Sequence, residues 1–188
     1  TLVHGGPAMQ RKPRFSPDGT KILYLSDASD SDNLWVSNVD GSAARQVSQE
    51  ALNSVTVPSW GPEGKYAVAV RHSTQWKEWA HAIWLFHLDG GAGRLLMDST
   101  SGSTFNEPQF SKDGRYLYYT QGVSTSRNAL HANFAIKRRQ MKDGKTEELL
   151  RGFGGAITPQ LSPDGKRLAF IRRVKEKTVL FVYNIETG

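Results

Sequence analysis

The residues that could do chemistry are few, and they do not form a familiar catalytic set. The 188-residue chain has five histidines, His4, His72, His81, His87 and His131, and no cysteine. Metal sites need imidazoles or carboxylates that converge, and neither His-x-His nor His-Glu-x-x-His occurs. His81 and His87 are six apart in a strand-like run, an even spacing that shares one face. Solvated or hydrogen-bonded rings are the expectation for both, and no metal ligand is assigned. A serine nucleophile needs a base and a Gly-flanked elbow, and no Gly-x-Ser-x-Gly is present. The lack of cysteine excludes disulfides, thiolate metal sites and a cysteine nucleophile. No catalytic or cofactor-binding residue is therefore assigned.

Two loops remain. Asp27-Ala-Ser-Asp30-Ser-Asp32-Asn33 is acidic and rich in serine. Hard cations use such oxygens, but the Gly and the distant Glu of an EF-hand are missing. A solvated strand connection is expected, with calcium as the alternative. The segment Arg71-His-Ser-Thr-Gln-Trp-Lys-Glu-Trp-Ala-His81 is less ordinary. Large aromatics on a connection are costly to expose and pack on something. Packing within the fold competes with a second reading. In it, Arg71, His72, Trp76, Trp79 and His81 anchor a protein partner or a linked domain, because Trp, Tyr and Arg dominate interface hot spots.

Net charge is +6 and uneven. Residues 1–114 carry 10 Lys and Arg against 12 Asp and Glu, while residues 115–177 carry 14 against 5. Lys137, Arg138 and Arg139 lie in a strand-like run, where alternation splits them between two faces. No stacking aromatic run accompanies them, so a nucleic-acid face is not expected. No apolar run approaches the ~18 residues of a membrane span.

The elements that hold these residues come in repeats. The phrase Pro13-Arg-Phe-Ser-Pro-Asp-Gly-Thr20 returns as Pro58-Ser-Trp-Gly-Pro-Glu-Gly-Lys65, Pro108-Gln-Phe-Ser-Lys-Asp-Gly-Arg115 and Pro159-Gln-Leu-Ser-Pro-Asp-Gly-Lys166. Each copy is followed by a period-2 apolar run, at 22–25, 66–70, 116–119 and 168–171. A second run follows at 34–39, 83–88, 134–141 and 179–185. Asp40-Gly41, Asp89-Gly90 and Asp143-Gly144 close three of the second runs, and short third runs follow at 45–47, 94–97 and 148–150. Such runs between turn residues read as antiparallel strands. In Ser-Pro-Asp-Gly the Pro fits the second turn position and the Gly takes the left-handed conformation without steric cost. Phe15, Trp60, Phe110 and Leu161 end the strand before each turn and are expected to pack between neighbouring sheets. Four-stranded units of this length, repeated, predict an all-β protein, a β-propeller.

The phrase, with Leu34-Trp-Val-Ser-Asn-Val-Asp-Gly41 after it, resembles the TolB-like propeller repeat, which also occurs in the propellers of prolyl oligopeptidase relatives. The resemblance covers the whole chain as one TolB-like propeller, 1–188. Blades are expected at about 5–48, 49–98, 99–152 and 153–188, with residues 1–4 as an outer strand of another blade or a closing strand. Family propellers have six to eight blades, so four imply part of a larger ring. Asp32-Asn-Leu-Trp-Val36, Ile83-Trp-Leu-Phe-His-Leu-Asp-Gly-Gly91 and Gly154-Gly-Ala-Ile-Thr-Pro-Gln160 are similar to the N-terminal propeller of bacterial secreted amidohydrolases. That resemblance implies a periplasmic or secreted protein. It also implies a non-catalytic module that meets a protein partner, or the propeller portion of a metal-dependent hydrolase that shapes or gates its active site. The chain opens on Thr1 with no leader and reads as a processed product or an excised piece.

Overall fold

The four repeated turns set the strand ends. The N–H of Gly19 donates to Ser16 O at 2.9 Å, and Gly64, Gly114 and Gly165 donate to Gly61, Ser111 and Ser162 at 3.1, 2.9 and 2.8 Å. The four glycines hold φ between 67 and 73°, the left-handed region expected of them. Three turns add a side-chain clasp. Ser16 Oγ donates to Asp18 at 2.6 Å, Ser111 to Asp113 at 2.7 Å and Ser162 to Asp164 at 2.5 Å. The same hydroxyls accept from the N–H of Lys21, Tyr116 and Arg167. Gly61 replaces the serine in the second turn and forgoes this clasp.

The computed structural model describes residues 7–51, 53–73, 81–98, 103–123, 133–151 and 155–188. The chain divides into two compact units, Thr1–Asp98 and Ser99–Gly188. The first holds two blades. One is β1 (Gln10–Phe15), β2 (Lys21–Ser26), β3 (Asn33–Asn38) and β4 (Arg45–Gln46). The other is β5 (Asn53–Trp60), β6 (Tyr66–Ser73), β7 (His81–His87) and β8 (Arg94–Met97). The second unit holds β9 (Ser103–Phe110), β10 (Tyr116–Val123), β11 (Asn133–Gln140) and β12 (Thr146–Arg151). It continues with β13 (Ala156–Leu161), β14 (Arg167–Val174) and β15 (Lys177–Asn184). Within each blade successive strands pair antiparallel.

Each blade has an irregularity at the same place. Lys12, Val57, Glu107 and Thr158 immediately precede the prolines of the four phrases, and all have φ between 50 and 54°. The register between the first two strands of each blade slips there. Proline cannot donate to a ladder and is confined in sheets to edges and bulges. The phrase therefore encodes a β-bulge as well as a turn. Val57 and Thr158 are β-branched, for which a positive φ is a real strain. The bulge recurs in the first strand of all four described blades.

Alternation places the core. In the first unit Leu23, Leu25, Leu34 and Val36 pack on Val55, Trp60, Ala67, Ala69 and Phe86 of the next blade. In the second unit Ile136 packs with Ala156, Leu168 and Phe170. The inter-sheet expectation holds for Trp60, which is 8% exposed and whose Nε1 donates to Arg14 O at 2.8 Å. It fails for Phe15, which is 69% exposed, although Trp60 of the next blade reaches the adjacent Arg14 O. Phe110 and Leu161 are half-buried. Two cations of the β11 run have carboxylate partners on β12. Arg138 pairs with Glu147 at 2.7 Å and stacks over Tyr116 at 4.8 Å, and Lys137 lies 3.9 Å from Glu148.

Candidate functional site: the loop end of the β6–β7 hairpin

β6 and β7 pair without interruption from Tyr66↔His87 to His72↔His81. The connection 74–80 therefore leaves the hairpin at the end opposite the Pro-Glu-Gly turn of residues 62–64. Trp76 and Trp79 fall in that connection, outside the described residues. Arg71, His72 and His81 are described, and the structure brings them together at the base of the connection.

Arg71 and His72 are consecutive on a strand and point to opposite faces. Arg71 forms an ion pair with Glu50 at 2.8 Å and lies over the Trp84 ring at 4.5 Å. Glu50 is positioned by Asn33, which is fully buried. Asn33 Oδ1 accepts from the Glu50 N–H at 2.7 Å and from Ser48 Oγ at 2.8 Å, and its Nδ2 donates to Glu50 O at 3.0 Å. Arg71 is thus tied to the preceding blade through one buried amide, which the sequence reading did not single out.

On the other face His72 Nε2 lies 2.7 Å from Thr56 Oγ1. The His72 and His81 rings face each other with centroids 4.0 Å apart and planes at 52°. Burial, and then the neighbouring His81, push the His72 pKa down to about 4. Burial also lowers that of His81. Both ring nitrogens of His81 are inaccessible and have no hydrogen-bond partner. His81 and His87 do share a strand, but six residues span roughly 20 Å. His87 instead accepts the Asp89 N–H at 3.1 Å at the far turn. The partner of His81 is His72, and the signal was the hairpin register: once Tyr66 faces His87, His72 must face His81.

Part of the acidic loop is engaged within the protein. Asp27 accepts the Met9 N–H at 2.7 Å, Asp32 is paired with Arg11, and Ser31 Oγ donates to Glu50 O. Among the described residues no three His, Asp or Glu side chains converge on a point.

No family model matches the chain. An uncharacterised protein of Agrobacterium fabrum is 25% identical over 162 residues, 84% of this chain and 53% of that protein. The crystal structure of TolB from Acinetobacter baumannii superposes with a TM-score of 0.76 at 17% identity, over 99% of this chain and 43% of that one. The fold is that of a TolB-like β-propeller. This propeller fold also matches a puromycin-hydrolysing peptidase of Mycobacterium tuberculosis, with a TM-score of 0.68 at 19% identity, over 95% of this chain and 28% of the peptidase. The TolB-like chain spans about half or less of the length of the curated relatives it matches.

Proposed function

We propose that this chain is a non-catalytic propeller module of a periplasmic or secreted protein, presenting the connection 74–80 to a protein partner or to a linked catalytic domain. One observation carries the reading. In every blade the repeated Asp-Gly and Glu-Gly turns sit at one end. The opposite end carries connections that do not repeat. In the second blade this connection holds Trp76, Trp79 and Lys77 between Arg71 and His81. Sequence that repeats maintains the scaffold; sequence that departs at loop ends is where propellers carry function.

The match to a peptidase over 28% of its chain supports the linked-domain form, in which the linked domain is that of a secreted metal-dependent amidohydrolase or related hydrolase. Exposed apolar side chains support membership of a larger ring. Phe15 on the first blade, and Leu180 and Val182 on the fourth, are 69, 69 and 64% exposed, positions that a further blade would cover.

A photo-crosslinking residue at position 77 tests the surface in the natural protein, with one at Ser42, at a turn end, as control. Cross-links from 77 to a partner or linked domain, and none from 42, are expected. Equal yields at both overturn the reading. Intact mass and sequencing of the natural product test the hydrolase form. A parent chain some hundreds of residues longer that carries His-x-His supports it, and a product ending near Gly188 refutes it.

A further inference from the structure

Arg71 has a counterpart in the fourth blade whose counter-charge is missing. Arg172 stands seven residues after Gly165, as Arg71 stands seven after Gly64. Each lies opposite the residue three before the phrase proline, Val55 for Arg71 and Ala156 for Arg172. Alternation puts Arg172 on the face of β14 that holds Leu168 and Phe170, which pack with Ile136 of the third blade. Phe181 takes the repeat position of Trp84. The acid does not recur. Glu50 lies in Val47-Ser-Gln-Glu-Ala-Leu52, which leads into its blade, whereas Arg151-Gly-Phe-Gly-Gly155 holds no carboxylate. Arg151 is itself engaged by Glu148 at 2.6 Å. Ala135 stands at the repeat position of Asn33, so no amide is there to hold an acid. Arg172 is half-buried, its Nε is inaccessible and without a hydrogen-bond partner, and no carboxylate among the described residues pairs with it. Buried polar atoms in native structures are nearly always satisfied, and a charge withdrawn from water needs a partner.

We infer that Arg172 anchors a site for one carboxylate, supplied from outside the chain, at the junction of the third and fourth blades. The second blade sets the ligand class: an arginine at the same repeat position takes a carboxylate there at 2.8 Å. A planar guanidinium matches a carboxylate with two parallel hydrogen bonds, and Nε–H is one of the donors of its fork. One unbalanced charge suits a monoanion better than a phosphate dianion. Arg173 adds nothing, because it points to the opposite face. A free organic acid and an Asp or Glu side chain of a polypeptide offer Arg172 the same group. The inference holds whichever partner the connection 74–80 meets.

The test is NMR titration of the full chain with sodium acetate at constant ionic strength, followed at the arginine Nε–H signals. The Arg172 signal should shift and saturate, and that of Arg71, already paired, should stay. Sodium chloride should move neither. An acetylated, amidated peptide whose one charge is a glutamate side chain is the second probe. Tighter binding of the peptide than of acetate supports a polypeptide source for the carboxylate, and the reverse order supports a free acid. Glu50→Gln should make Arg71 a second responder to acetate and leave the response of Arg172 unchanged. Arg172→Lys keeps the charge and loses the fork, and should weaken binding about tenfold, read at the backbone amides of Ala156 and Val179. An Arg172 signal indifferent to both probes overturns the inference. So does an equal response to chloride, a tighter response to phosphate, or binding that Arg172→Lys leaves unchanged.

Discussion

Gln109 grips the backbone on either side of Gln160 in the next blade: its Oε1 accepts the Leu161 N–H at 3.1 Å and its Nε2 donates to Pro159 O at 2.6 Å. One amide therefore satisfies a donor and an acceptor on the first strand of the neighbouring blade. Glu107 adds a third bond, accepting the Thr158 N–H at 2.7 Å at the bulge. Gln109→Leu is expected to lower unfolding free energy by about 1–3 kcal/mol, because it strands a part-buried N–H and carbonyl. Urea denaturation measures this, and a change below a few tenths would show that water replaces the amide.

Arg71 and Glu50 give a second prediction. Glu50 is 4% exposed and Arg71 27%. Removing one partner of a buried pair leaves the other charge uncompensated, at about 3–5 kcal/mol for full burial. Partial exposure of Arg71 and its stacking on Trp84 reduce this, so Glu50→Ala should cost about 2–3 kcal/mol. Substituting both with apolar residues should cost less than Glu50→Ala alone, which a double-mutant cycle would reveal.

Trp60 and Phe15 hold the same place in the repeat and differ in burial. Trp60→Ala should cost about 3–5 kcal/mol, as buried aromatics do, together with the bond to Arg14 O. Phe15→Ala should cost about 0.5 kcal/mol or less in this chain, as exposed sites do. In a longer parent chain whose next blade covers Phe15, the two costs should converge. Equal melting temperatures of the two variants in this chain would contradict the burial difference.

The turn carboxylates predict an acid limb. The Ser16 hydroxyl, followed by the N–H and hydroxyl of Thr20, lowers Asp18 to about 2. The Ser111 hydroxyl, followed by the N–H and side chain of Arg115, lowers Asp113 to about 2. A carboxylate depressed in the folded state contributes stability above its ordinary pKa of ~3.9 and loses it as pH falls through the folded value. The contribution of both should be complete above about pH 5 and should be lost progressively between about pH 5 and 1. Asp113→Asn should lower stability at pH 7 and make progressively less difference as pH falls below about 2. NMR titration of the side-chain carboxyls checks the low values directly.

Much of the fold was legible because turn chemistry is local. Ser-Pro-Asp-Gly and Asp-Gly carry their own hydrogen bonds, so the repeats located the second, third and fourth strands of the blades to within a few residues and the first strands by their ends. The bulge before each proline was also encoded, through the missing N–H, although the reading took the phrase only as a turn. The candidate site was half legible. Aromatic and cationic residues crowding 71–81 single out this connection in the sequence, yet the contacts of Arg71, His72 and His81 were not visible, because each depends on cross-strand or inter-blade partners.

Repeat spacing by itself determined an all-β chain of repeated antiparallel blades, since alternation and turn residues act over a few positions. Only the tertiary structure decided which aromatic of the repeat is buried, that Asn33 holds Glu50 in reach of Arg71, and that His81 faces His72 rather than acting with His87. Burial is conferred by the neighbouring sheet, and cross-strand pairing by register over the whole hairpin. Neither can be read from the residues one at a time.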